Sequence, residues 1–277
     1  MALESPIYIK IQSVISGQVV CPRIVVNLGE NSEAKIVEHH LSGTGLSLSV
    51  PVLDVHVGQN SRLKHCVVQN LGEETWQVSK QNFQLEKDSY VEMFTAAFGG
   101  DYARSEIRCD LKGRGSEAYS AATYFGNGEQ TLDFRTFQKH EASDTTSKLL
   151  FKGALDEDSR SIYSGLIKVL PEAIRTKAQQ TNRNIKLSEN AWAESVPNLE
   201  IETNDVICSH ASTVSGIDEE QLFYLESKGV ETSVAERLII AGFFDGVISK
   251  VFDPLVVEEA TSILRDVLRH RSGSEDK

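Results

Sequence analysis

Short runs of alternating apolar and polar residues fill most of this chain, and many of them end in the same kind of turn. The turn reads Leu or Val, then a few polar or Gly residues, then Ser or Ala. It occurs as Leu28-Gly-Glu-Asn-Ser32, Val57-Gly-Gln-Asn-Ser61, Leu85-Glu-Lys-Asp-Ser89, Leu111-Lys-Gly-Arg-Gly-Ser116, Leu155-Asp-Glu-Asp-Ser159 and Leu187-Ser-Glu-Asn-Ala191. The lead residues stand 29, 28, 26, 44 and 32 apart, the 44 reading as two steps of 22 with a degenerate copy at Phe125-Gly-Asn-Gly128. Gly, Asn and Asp suit tight turns because they tolerate positive φ or bond their own backbone. The residues after each turn are strand formers, as in Leu63-Lys-His-Cys-Val-Val68 and Tyr90-Val-Glu-Met-Phe94. A fixed step in the twenties is the mark of a stacked solenoid, in which no coil buries its apolar face alone. The expected fold class is mainly β: a right-handed parallel β-helix, the hand following the general preference of parallel crossovers. Evenly spaced hairpins of a β-sandwich would give similar strand lengths, but not one turn chemistry returning at one offset.

The period changes near residue 217. Asp218 opens a helical stretch with acids first, Lys228 last and Gly229 as its stop. Ser233-Val-Ala-Glu236 reads as a capping box for a second helix, with Ala235, Leu238, Ile239, Gly242, Phe243, Val247 and Ile248 as its apolar stripe. Asp253-Pro254 opens a third, running through Leu255, Val256, Ala260, Ile263, Leu264 and Leu268. The expected organisation is a β-helix over 1–216, a small C-terminal α-helical domain over 217–271 and a disordered tail over 272–277. Helices in that place either cap the open β end or offer a face to a partner, and periodicity alone does not choose.

Composition narrows the setting. The chain has 277 residues and a net charge of −12, with a pI near 5.1. Nucleic acid and an anionic membrane surface are therefore poor partners. No apolar run is long enough to span a bilayer, and the first residues lack a signal peptide's basic and apolar regions, which points to the cytoplasm. Cys21, Cys66, Cys109 and Cys208 lie far apart with no Cys-x-x-Cys, so neither a disulfide framework nor a closed zinc site is indicated.

The chain has no P-loop, dinucleotide fingerprint, nucleophile elbow or zinc-protease motif. His39-His40 and His65-Cys66 are neighbours on strands and face opposite ways. His140-Glu141 reads as a solvated strand end. Cys208-Ser209-His210 differs: residues two apart share a face, so thiol and imidazole stand together. Such a pair can hold a thiophilic metal or poise a thiolate, but two ligands make half a site. The alternative is that both simply pack.

Four segments carry a family resemblance: Gln180-Thr-Asn-Arg-Asn-Ile-Lys-Leu-Ser188, Pro197-Asn-Leu-Glu-Ile201, Asn204-Asp-Val-Ile-Cys-Ser-His210 and Asp218-Glu-Glu-Gln-Leu-Phe-Tyr224. With them the chain resembles the SufB/SufD family of iron–sulfur cluster assembly proteins. SufB-like members carry Glu-His-Glu where Ser209-His210-Ala211 stands here, and a Cys-Asp pair where Thr181-Asn182 stands. The Cys-x-His is typical of the SufD-like branch. The resemblance implies a non-enzymatic scaffold subunit that pairs with a SufB-like protein through the β-helix. It implies docking of a SufC-like ABC ATPase on the C-terminal helices, and homodimerisation when the chain is alone. It places His210, with Cys208 beside it, where a transient iron or iron–sulfur cluster sits, with no cofactor bound tightly to the isolated chain. The family usually has an N-terminal helical domain, and this chain starts almost directly in strands. The competing expectation is a carbohydrate-active β-helix enzyme, which needs carboxylates clustered on one face, or a purely structural solenoid.

Overall fold

Strands of alternating polarity need cover on their inner face, and this chain supplies it by coiling. The computed structural model describes residues 2–272. The first coils contain β1 (Ile7–Ser13), β2 (Gln18–Val20), β3 (Arg23–Leu28), β4 (Glu33–Ser42), β5 (Ser47–Ser49) and β6 (Val52–Val57). The middle coils contain β7 (Arg62–Leu71), β8 (Thr75–Leu85), β9 (Tyr90–Gly99), β10 (Tyr102–Leu111), β11 (Glu117–Gly126) and β12 (Thr131–His140). The last contain β13 (Thr146–Leu155), β14 (Arg160–Val169), β15 (Thr176–Lys186), β16 (Trp192–Ile201) and β17 (Val206–Ser215). One sheet has the order β1-β4-β7-β9-β11-β13-β15-β17, and the second runs β16-β14-β12-β10-β8-β5-β2 with β3 and β6 beside it. Every pairing is parallel, as in β7 with β9 and β10 with β12. The expected parallel β-helix is thus the fold.

The coil step corrects the sequence reading. Partners in the first sheet lie 27 to 31 residues apart, as in Val91 with Ala118 and Ser147 with Ala178. The gap of 44 is therefore one coil and a half, not two steps of 22. Leu111 pairs in register with His140, 29 residues on, and Leu155 lies a further 15 on at the opposite corner. Both corners use the same chemistry, so the motif alone does not tell them apart. At the first corner Asn31, Asn60, Asp88, Gly115, Asp144 and Arg175 all have positive φ, one per coil. At the second, Gly128 and Glu157 do the same. A small hydroxyl follows inside the first corner: Ser61, Ser89, Ser116, Thr145 and Thr176 are all buried. The Ser61 hydroxyl donates to the carbonyl of Gly29 in the coil before, at 2.6 Å.

The lumen is filled in layers. Tyr124, Phe134, Phe151 and Tyr163 form a continuous aromatic stack with ring centroids 4.8, 5.4 and 5.6 Å apart. The Tyr124 hydroxyl donates to Asn184 Oδ1 at 2.6 Å and accepts from Asn182 at 3.0 Å, so its polar end is satisfied. Nearer the first coils the lumen holds a charge. Glu38, only 2% exposed, has His40 Nε2 at 3.0 Å and His65 Nε2 at 2.7 Å from its two oxygens. Burial pushes this carboxyl upward, but its bonds to both imidazoles outweigh that and hold it down to about 2.

Three helices follow: α1 (Glu219–Ser227), α2 (Thr232–Ile248) and α3 (Pro254–Ser272). Asp218 caps α1, its side chain accepting from the Glu220 and Gln221 amides, and Gly229 ends it at φ 83°. Asp253 caps α3 in the same manner. The capping box at Ser233 does not form. α2 begins at Thr232, whose hydroxyl bonds Glu226, while the Ser233 hydroxyl turns to Glu231. Its buried stripe is Ala235, Ile240, Phe244, Val247 and Ile248, with Leu238 exposed. Ala235, Val247 and Ile248 are buried as expected, while Ile240 and Phe244, not Ile239 and Phe243, face the sheet beneath. The helices do not cap the solenoid. They cover the outer face of the first sheet, where Phe244, Val256, Ala260 and Leu264 share one core with Val37, Cys66, Phe94, Ala96 and Phe125. Tyr8 donates to Asp253 at 2.8 Å and Lys152 to the Phe243 carbonyl at 2.6 Å, pinning both ends of the lobe. Among the described residues no helix is long and apolar enough to cross a membrane. Ser272 ends α3, and the rest of the expected disordered tail lies outside the described residues.

Two outcomes follow for stability. Phe244→Ala removes a buried ring from the seam between lobe and sheet and should cost ~3–5 kcal/mol, whereas Leu255→Ala, on an exposed side chain, should stay within about 0.5 kcal/mol; urea unfolding followed by circular dichroism checks both. The Glu38 carboxyl is held below its unfolded value of 4.5, so its stabilisation is complete above that pH and is lost as pH falls toward 2. The loss should amount to about 3 kcal/mol. Glu38→Gln should flatten the urea midpoint over that window, and an unchanged pH slope would remove Glu38 as its source.

Candidate functional site

The end of a solenoid is decided by whatever follows the last coil, and among the described residues nothing covers it here. β17 is the last strand of the first sheet and β16 the last of the second. In-register parallel partners share a face, and Cys208 stands on Ala178 while His210 stands on Gln180. Both Ala178 and Gln180 are lumen residues, 3% and 0% exposed. Cys208 and His210 therefore point along the lumen side of an edge strand with no further coil above them. The expected sharing of one face holds.

Their surroundings differ. Cys208 is half-buried and packs on a small core of Ile167, Val169, Ala173 and Ala178. Burial pushes its thiol upward, partly offset by a hydrogen bond with the Ala178 backbone. His210 is exposed. Beneath it, the buried Gln180 side chain has neither its oxygen nor its nitrogen bonded. The Ser195 hydroxyl, on the lumen side of β16, is likewise buried without a partner. Buried amides left unpaired cost about 1–3 kcal/mol each, so this mouth is polar and unsatisfied as it stands. Among the described residues no group of three His, Cys, Asp or Glu side chains could hold a metal. The Cys208–His210 pair by itself offers two donors.

The other histidines sort by face. His39 points outward, with Tyr8 edge-on and Glu259 at 3.5 Å, while His40 points into the lumen. His65 also points inward and Cys66 outward beneath the helices. The reading of His140 as a solvated strand end is wrong. It is wholly buried, bonded to Thr145 and Ser147, and burial holds its imidazole down to about 4; Glu141 alone faces solvent, beside Lys139. The Glu38–His40–His65 cluster was missed because the histidines were read as sequence neighbours. Adding one coil step of 29 places His65 against Ile36, two residues from Glu38, and that sum would have found it.

A two-sheet parallel solenoid with a lateral helical lobe and a thiol–imidazole pair at its uncovered end defines the class. The sequence model described as SUF system FeS cluster assembly, SufBD core domain, matches residues 11–243. An iron-sulfur cluster assembly SufBD family protein of Mycobacterium tuberculosis is 31% identical over 98% of this chain and 69% of its own length. The iron-sulfur cluster assembly protein SufD of Escherichia coli is 29% identical over 79% of this chain and 52% of its own. SufD of Bacillus subtilis is 28% identical over 87% and 56%. The chain belongs to the SufBD family of the SUF iron–sulfur cluster assembly system.

Thiol chemistry gives a direct check of the site. Cys21 is exposed, Cys66 and Cys109 are buried and Cys208 lies between, and burial pushes up the thiols of Cys66, Cys109 and Cys208. In the isolated chain iodoacetamide should modify Cys21 first and Cys208 about tenfold or more slowly, leaving Cys66 and Cys109 untouched until unfolding. Peptide mapping by mass spectrometry reads the order, and equal rates at Cys21 and Cys208 would contradict a thiol held protonated.

Proposed function

We propose that this chain is a SufD-like subunit of an iron–sulfur cluster assembly scaffold, with iron or a nascent cluster as its cargo. The observation that carries the reading is the uncovered end: Cys208 and His210 on one face of an edge strand, above a buried amide with no partner. β16 and β17 present unpaired backbone donors and acceptors there, and edge pairing is a low-cost way to extend a solenoid. A SufB-like subunit seated on that edge would cover Gln180 and Ser195 and supply the ligands that two side chains alone lack. Alone, the chain would pair with a second copy through the same edge.

Imidazole and thiolate both suit iron. His210 is exposed and needs no rearrangement to ligate. Cys208 must lose a proton first, and an iron ion brought by the partner favours that loss. The helices would receive a SufC-like ABC ATPase. Phe223 and Tyr224 on α1 are 72% and 60% exposed, large aromatic surface of the kind that anchors partners. In this reading the chain is not itself an enzyme, works in the cytoplasm and engages neither nucleic acid nor membrane.

The test is co-expression with SufB-like and SufC-like proteins of the same source. The complex should co-purify, and His210→Ala should lower its iron and sulfide content by about tenfold or more with the subunits still associated. Full cluster content in that variant would remove His210 from the role. Failure of the parent chain to retain either partner would remove the scaffold reading itself.

A further inference from the structure

On the flank of the solenoid, on the outer face of the first sheet, lies a second feature. A cavity of about 700 Å3 opens between the outer face of the first sheet and the junction of α2 with α3. Drug-sized ligands fit cavities of that size. Four cations line it: Lys148, Lys152, Arg183 and Lys250. Lys152 and Arg183 are in-register neighbours on β13 and β15, and like charges set side by side in this way repel. Among the described residues none of the four makes an ion pair. The single carboxylate lining the cavity, Glu92, is already bonded to Lys64 at 3.2 Å. In a chain of net charge −12, which pairs its other basic clusters, such as Arg114 and Arg175 with Asp144, this group of unneutralised cations stands out.

Of the four, Lys152 is held in place. Lys152 donates to the Phe243 carbonyl at 2.6 Å and lies 4.7 Å over that ring. Burial pulls its ammonium below the ordinary lysine range, and the charges of Arg183 and Lys250 add to the pull. The opposite half of the cavity is aromatic. Tyr90 and Tyr119 stand with ring centroids 5.5 Å apart, and Phe252 with Val251 closes the far wall. Lys148 lies 5.8 Å over the Tyr119 ring, where charge and ring surface meet.

We propose that this cleft binds a small phosphorylated aromatic molecule, its phosphate charge on Lys148, Lys152, Arg183 and Lys250 and its planar ring against Tyr90 and Tyr119. Such a ligand neutralises the repulsion between Lys152 and Arg183 and covers the tyrosine faces at once. Neither half of the cavity alone would call for both properties.

The purified full chain, without partner subunits, should be titrated calorimetrically with ADP and with 1-naphthyl phosphate, beside inorganic pyrophosphate and adenosine. At least one of the two aromatic phosphates should bind saturably at one site per chain, with pyrophosphate and adenosine each roughly tenfold or more weaker. The affinity should fall as salt rises. The double variant Lys148→Ala, Arg183→Ala removes two repelling charges from the surface and should fold normally, with affinity lowered by roughly tenfold or more. Arg114→Ala, in a distant basic cluster, should bind as the parent does. No saturable binding of either aromatic phosphate overturns the proposal, as does binding that survives the double substitution. Tight binding of a poly-glutamate peptide with none of the aromatic phosphates overturns it in favour of an acidic protein segment.

Discussion

The hydrogen bonding of each coil on the next, in register and parallel, places every side chain in the β-helix. It demands that residues one coil apart share a face, and that the chain turn at the same two corners each time. The corner residues answer the second demand. Asn31, Asn60, Asp88, Gly115, Asp144 and Arg175 each take the left-handed conformation at successive coils, a conformation that costs an ordinary residue roughly a kcal/mol or more. Asn, Asp and Gly meet it most easily; Arg175 does so while gripping Asp144 of the preceding coil at 2.6 Å. The first demand fills the lumen in layers, with an aromatic stack in the middle and a paired charge near the start. The same demand has a consequence at the far end. A last coil obeys the register of the one below it and has nothing above, so whatever occupies its lumen positions is presented outward. His210 is exposed and Cys208 only half-buried because both are lumen residues with no following coil among the described residues.

Placement of the helices decides that this end stays free. A solenoid's open edge invites pairing with other chains, and terminal elements often cover it. Here the apolar surface on the outside of the first sheet, Val37, Cys66, Phe94, Ala96 and Phe125, competes for the helices and wins. The aromatic and aliphatic face of α2 and α3 is buried there, and α1 is left with no buried residue of its own. One arrangement therefore produces three surfaces: an uncovered strand edge, an exposed aromatic helix, and a cleft at the junction of lobe and sheet. In the proposed reading the first two would serve a scaffold subunit's two partners.

Much of this was legible in the sequence because solenoids repeat. The turn motif, the strand runs, the change of period near residue 217 and the caps at Asp218 and Asp253 all describe local chemistry that neighbours alone determine. Errors arose where the answer depended on which corner or which face was meant. Leu111 and Leu155 carry the same motif at opposite corners, so the spacing of 44 was divided equally when it holds a coil and a half. The stripe of α2 holds at Ala235, Val247 and Ile248 but buries Ile240 and Phe244 in place of Ile239 and Phe243, pairs equal in composition that only the sheet beneath distinguishes. His140 looked solvated beside Lys139 and Glu141, yet strand alternation turns it into the lumen between them. The Cys208–His210 pair was visible because it lies within one strand. The cations of the flank cleft were not, since Lys148, Arg183 and Lys250 belong to β13, β15 and the link after α2.

If the proposed function holds, the contrast between Cys208 and His210 bears on how such a half-site would work. A site complete in the isolated chain would load metal wherever metal was present, and a scaffold that must wait for its partner is better served by an incomplete one. His210 stands free, but a single imidazole binds iron weakly. Cys208 is the stronger ligand and is withheld, its thiol pushed up by burial among Ile167, Val169 and Ala178. Metal arriving with a second subunit would change both terms at once, because its charge favours the thiolate and its other ligands come from across the edge. Gln180 sits directly below, its amide oxygen and nitrogen unused, able to accept from or donate to whatever is assembled above. The energetic deficit of that buried amide is thus a reason for the free end to seek cover, and in the proposed reading the register that places His210 over it would make the cover and the ligand site the same place.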